Sequence, residues 1–171
     1  ARESAPMIRQ LAIGLVSAIF IVMVLLAVSF RSIWAALYSL LPNLLPLVLG
    51  GAALAVMGVG LRYETVIALT LAFGIAVDDT IHFLSKFKLA RAKGLTLEEA
   101  LKITFLETGK AITLTTVILF FGFLVMLFSI HPPSVTIGLL ISLTLFSALF
   151  SDLLLIPLLV RWLITDKKGK D

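Results

Sequence analysis

The sequence predicts an all-α, polytopic transmembrane helix bundle of five spans with a short cytoplasmic amphipathic helix. Three observations lead there. First, 60% of the 171 residues are hydrophobic and only 14% are charged, where soluble domains carry about a quarter of charged residues; mean hydropathy is +1.14. Second, residues 11–30, 33–61 and 111–130 contain no Asp, Glu, Lys, Arg or His, and each reaches the roughly 20 apolar residues that a helix needs to cross a bilayer. Third, runs 65–85 and 132–160 qualify with interruptions, at Asp78, Asp79 and His82 in one and at Asp152 alone in the other.

One membrane domain over residues 1–171 is the economical organisation, with spans at about 8–30, 33–58, 64–87, 110–130 and 134–163 and a surface helix at about 96–108. The first span lacks the short apolar core and small-residue cleavage site of a signal peptide. With Ala1 in place of an initiator Met, the chain reads as a piece of a larger protein. The absence of cysteine leaves no disulfide framework and no thiolate metal site.

The second span carries LPNLLP at residues 41–46, with Pro42 and Pro46 one turn apart. Each lacks an amide and should kink the helix, freeing carbonyls that Asn43 or neighbouring helices must satisfy. The small residues that follow, GGAALAVMGVG, permit close helix approach. Packing and a hinge are both open for this segment.

Between the third and fourth spans, TLEE at residues 96–99 has capping-box spacing: Thr96 can accept from the third amide while Glu99 returns to the cap. A short helix should start there and stop near Gly109. Leu97, Ala100, Leu101, Thr104 and Phe105 recur at helical spacing, as suits a helix lying on the cytoplasmic membrane surface.

Orientation follows from the basic residues. One side receives Arg31, Lys86, Lys88, Arg91, Lys93, Lys102, Lys110, Arg161, Lys167, Lys168 and Lys170; the other receives only Arg2, Arg9 and Arg62. The first side is expected to be cytoplasmic, and with it the carboxyl end. Membrane topology thus accounts for the net charge of +4, and nucleic acid need not be invoked.

The stretch GIAVDDTIHF, residues 74–83, sets two aspartates and a histidine inside a span. Insertion of one ionised aspartate at the centre of a membrane helix costs roughly 2.5–3.5 kcal/mol. Asp78 precedes Lys86 by eight residues, which places it roughly 12 Å inside the boundary, beyond the reach of so short a side chain to water. Thr70, Gly74, Asp78 and His82 form one stripe, with Asp79 about 100° away. That stripe must face protein or water, and the bundle interior is the expected place.

Two adjacent carboxyls in a poorly solvated site titrate as a coupled pair and can load and release protons. His82 extends a proton path or marks the cytoplasmic mouth. One helix offers too few ligands for a metal, and neither metal nor cofactor is expected. In the fourth span Thr113, Thr115 and Thr116 either bond back to their own helix or approach the aspartates. Asp152, eight residues before Val160, also lies inside the bilayer, where helix packing and proton coupling are equally good reasons for it.

Taken together, Gly74-Ile-Ala-Val-Asp78-Asp79 followed by Thr-Ile-His-Phe and a basic amphipathic segment resembles the fourth span of a six-helix repeat of the resistance-nodulation-division (RND) superfamily. The nearest branch is the MMPL, hopanoid-exporter and Patched/Dispatched-like one. The proline-bearing span, the GKAITLTT opening at 109–116 and the SDLLLIP run at 151–157 resemble that branch too. The resemblance implies spans two to six of one repeat, with the basic tail favouring the carboxyl-terminal repeat. It further implies a proton-motive-force-driven exporter of lipids or other hydrophobic compounds in a bacterial inner membrane. Asp78 and Asp79 would carry protons, and Thr115 or Thr116 would occupy the relay-threonine region. The implied partners are membrane lipids, protons, a hydrophobic cargo, the amino-terminal repeat, extracytoplasmic domains and a second copy of the chain. Two alternatives share this helix arrangement: a sterol- or lipid-sensing regulatory membrane domain, and an auxiliary subunit of protein export. No enzyme is expected, since the chain has no phosphate-binding glycine loop, no H-E-x-x-H and no G-x-S-x-G.

Overall fold

The computed structural model describes residues 4–30 and 33–161, and every regular element among them is helical. Apolar runs become helices in a bilayer because a helix satisfies its own backbone polar groups. α1 (Ser4–Phe30) and α2 (Ile33–Val56) are followed by a loop in which Gly58 adopts φ +65°, a left-handed conformation open to glycine without steric cost. α3 (Tyr63–Ala92) follows, begun by the Thr65 hydroxyl, which accepts from the Arg62 amide and donates to the Arg62 carbonyl. At 30 residues it measures about 45 Å, against a hydrocarbon core of about 30 Å, so its basic last turns project beyond the membrane.

Gly94, at φ +84°, turns the chain into α4 (Leu97–Thr104). The expected capping box is formed: the Glu99 amide donates to Thr96 Oγ1, and Glu99 Oε2 accepts from the Thr96 amide at 2.9 Å. The expected stop at Gly109 is not there. A π turn at Phe105–Gly109 carries α4 directly into α5 (Lys110–Leu124), because Gly109 is buried against Leu153 and continues in helical conformation. α4 also packs inward more than a surface helix would. Ala100 and Thr104 are buried, and Leu97 and Leu101 lie against Phe83 and Phe87 at the basic end of the bundle, while Phe105 stays exposed.

After a 3-10 turn at Val125–Phe128, α6 (Pro132–Phe150) runs back and passes through a second π turn, Ser151–Leu155, into a last helical segment, 156–161. Among the described residues, four helical stretches are long and apolar enough to cross a membrane: Ser39–Val56, Tyr63–Ala92, Leu97–Phe128 and Pro132–Arg161; a shorter one, Ala12–Val28, lies within α1. Large apolar side chains such as Val16, Phe20, Leu114, Phe121 and Phe128 cover the outside, the arrangement that hydrocarbon rather than water rewards.

Three apolar clusters hold the bundle. Leu40, Phe73 and Val77 join α1, α2 and α3; Leu54, Leu69, Ile141 and Leu145 join α2, α3 and α6; Phe83, Ile112, Ile156 and Val160 close the basic end. That end gathers Lys86, Lys88, Arg91, Lys93, Lys102, Lys110 and Arg161, with Arg161 paired to Glu98 and Lys86 to Glu107. Arg2, Arg31, Lys167, Lys168 and Lys170, also assigned to sides from the sequence, lie outside the described residues.

Candidate functional site

The helical turn of about 100° per residue sends Asp78, Asp79 and Thr80 in three directions. Asp78 faces out of the bundle, its side chain 70% exposed, with His82 one turn on at 3.6 Å and equally open. Asp79 is half-buried, and Thr80 is fully enclosed. The sequence led to the expectation that the stripe faces the bundle interior, and the structure corrects this: Asp78 and His82 face outward. The stripe lines a groove between α3 and α5 with a cavity of about 700 Å³, bounded at the basic end by the Lys86–Glu107 pair. Apolar clusters and a buried network around Thr80 fill the interior, and Asp78 and Asp79 are left on a polar flank.

Gly74 forms part of this groove, and a Cβ there would meet no atom within 4 Å. It opens the cavity rather than allowing a close helix approach. Across from the aspartates stands Thr115, which also donates to the Ala111 carbonyl of its own helix. Thr113 bonds back to Gly109 and lines a different, apolar depression beside Leu153. Thr116 is buried in the bundle. The two relay candidates are thus separated, Thr115 beside the aspartates and Thr116 away from their groove.

Behind the groove lies a buried polar network that the sequence did not reveal as such. Thr80 Oγ1 is 3.0 Å from Asn43 Oδ1 and 3.1 Å from Asp152 Oδ1. Asn43 Nδ2 donates to the Ser39 carbonyl at 2.9 Å. Pro46, having no amide, frees the carbonyl of Pro42, and Ser151 Oγ donates to that carbonyl at 2.7 Å across the helix interface. The freed carbonyl of Pro42 is thus satisfied by a neighbouring helix, as expected, whereas Asn43 bonds the carbonyl of Ser39, which neither proline frees. Ser151 and Asp152 reach it from the π turn of the last helix, a distortion common where a helix delivers functional side chains. Asp152 is 1% exposed, and its Oδ2 has no hydrogen-bond partner among the described residues. Thr80 stood next to the aspartates, but its partners are 37 and 72 residues distant, and no local pattern names them. Among the described residues no three His, Cys, Asp or Glu side chains gather as a metal site.

An all-α bundle with lipid-suited surfaces and acids within its spans defines an integral membrane domain of transporter type. The chain belongs to the MMPL family, whose pattern matches residues 5–167, a family of RND-type transport proteins rather than enzymes. It is also similar to MJ1562 of Methanocaldococcus jannaschii, described by its name only as a membrane protein: the two are 26% identical over 139 residues, covering 81% of this chain. The chain spans 36% of the length of that curated relative.

Proposed function

We propose that this chain is the membrane domain of a proton-motive-force-driven exporter of lipids or other hydrophobic compounds, in which Asp78 and Asp79 carry the protons. The observation that carries this proposal is their shared groove. Two adjacent acids, with His82 and Thr115, open on one cavity inside the membrane-spanning part of α3 and α5, where a carboxyl that only packed would be an expense without return. Acids so placed face protein or water, and a relative of more than twice this length has further chain with which to cover such a groove. The basic end lies in the cytoplasm of a bacterial cell, with the carboxyl end on the same side. Moving one charge through the membrane potential yields about 2.3 kcal/mol per 100 mV, enough to bias two arrangements of a bundle.

The test uses the intact protein in phosphatidylethanolamine–phosphatidylglycerol vesicles, with an imposed pH gradient and a fluorescent phospholipid as the transported probe. Asp78→Asn and Asp79→Asn should each abolish gradient-driven movement while the protein still inserts, since an amide keeps the shape but does not exchange protons as an acid does. Undiminished movement in the double variant would make the aspartates structural and favour a lipid-sensing domain.

A further inference from the structure

The buried network behind the groove holds one hydrogen too few. Thr80 has a single hydroxyl proton and two acceptor oxygens in reach, Asn43 Oδ1 and Asp152 Oδ1. The amide of Asn43 is oriented by its bond to the Ser39 carbonyl, which keeps its oxygen toward Thr80. An ionised carboxylate only accepts, whereas a protonated carboxyl also donates. The two states of Asp152 therefore impose two different settings on the same hydroxyl. With Asp152 protonated, its O–H donates to Thr80 and Thr80 donates to Asn43, so the chain of bonds runs from α6 through α3 to α2 with each contact served. With Asp152 ionised, the Thr80 hydrogen turns to the carboxylate, and Asn43 Oδ1 is left facing a lone pair.

We infer that Asp152, Thr80 and Asn43 form a proton-operated latch on the proline-bearing stretch of the second helix. This rests on the proton-carrying role proposed for the groove acids and extends it to the step by which a proton changes the bundle. A proton passed inward from Asp79 leaves Asp79 as the carboxylate and Asp152 neutral; the return transfer restores both. Asp79 is the residue next to Thr80 on α3, half-buried between the groove and the network. The described residues of α2 include no Asp, Glu, Lys, Arg or His, and Lys86 and Glu107, at the groove end, are paired with each other. The latch is placed to act on a hinge, because Pro42 and Pro46 remove two backbone bonds from α2. Two side-chain contacts from other helices stand in their place: Thr80 on Asn43, which the proton switches, and Ser151 on the Pro42 carbonyl, which it does not. Protonation fastens α2 to α3; ionisation loosens it while Ser151 keeps α2 tied to the last helix.

Two measurements on the intact protein in lipid vesicles test the latch. In infrared difference spectra between acid and alkaline pH, Asp152→Asn should remove one titrating carboxylic-acid carbonyl band. This readout is independent of whether the protein exports anything. With spin labels on exposed positions of α2 and α3, placed through Val48→Cys and Leu71→Cys, the distance distribution should shift between the same pH values. Thr80→Val should lose that shift while retaining the Asp152 band, and Thr80→Ser, which keeps the hydroxyl, should preserve both. A shift that survives in Thr80→Val or in Asp152→Asn would overturn the latch, as would an absent shift in the parent protein, its loss in Thr80→Ser, or an unchanged set of carbonyl bands in Asp152→Asn. Failure of the aspartate pair as proton carriers is read separately, from transport by the Asp78→Asn and Asp79→Asn proteins.

Discussion

Asp78, Asp79 and Thr80 occupy three consecutive positions and meet an open groove, its wall and the sealed core. Such differences divide residues that look equivalent in sequence. Thr115 and Thr116 are a second case. Thr115 shares the groove with the aspartates and Thr116 does not, so Thr115→Val should slow gradient-driven transport, whereas Thr116→Val, which keeps the volume and stays inside the bundle, should leave it near the parent rate. Equal loss in both, measured in the vesicle assay above, would remove the distinction. Ser151 permits a sharper test of stability. Its hydroxyl is the cross-helix donor to the Pro42 carbonyl that Pro46 leaves free, and removal strands a buried acceptor, at a cost of about 1–3 kcal/mol. Ser151→Ala should therefore lower the thermal midpoint in detergent; an unchanged midpoint would mean that this carbonyl finds another donor.

The helices themselves were legible where the period of apolar residues or an absence of charge spoke over many residues. The Thr96–Glu99 cap was legible because a capping box is local. Gly109 was misleading: glycine stops a helix only if the chain turns there, and Leu153 instead packs over it while a π turn absorbs the irregularity. Neither π turn has a sequence signature, and the bonds of Thr80 to Asp152 and of Ser151 to Pro42 involve side chains carried by the second. The glycines of α2 show how far small residues can be read. A Cβ on Gly50 would stand 2.7 Å from Thr144 Cγ2 and 2.8 Å from Leu69 Cδ2, while one on Gly51 would meet nothing within 4 Å. Gly50→Ala should destabilise the bundle by about 1–3 kcal/mol through overpacking. Gly51→Ala should be neutral or stabilise it by up to about 1 kcal/mol through helix propensity. Comparison of their unfolding midpoints in the same detergent checks this, and an equal response would show that α2 does not pack through Gly50.

At the scale of the whole molecule, sidedness is the property on which any use of a proton gradient depends. The basic residues of α3, α4, the start of α5 and the end of α6 meet at one end of the bundle, where Arg161 reaches Glu98 and Lys86 reaches Glu107. From Lys110 to Phe128 the chain has 19 helical residues in two segments, at 1.5–2.0 Å each enough for about 30 Å, the thickness of a hydrocarbon core. The start of α6 must then lie on the opposite side from Lys93. Lys93 and Ser134 sit outside the aspartate groove and its buried network, so both accept a cysteine without disturbing the proposed machinery. In the orientation proposed from the excess of Lys and Arg, the Lys93 end faces the cytoplasm. A membrane-impermeant maleimide should therefore modify Ser134→Cys in intact cells and Lys93→Cys only after permeabilisation. Reaction of both from the same side would break the path of α5 through the membrane and, with it, the direction proposed for the bundle across the membrane. Reaction from opposite sides but in the reverse sense would keep the bundle and invert that direction.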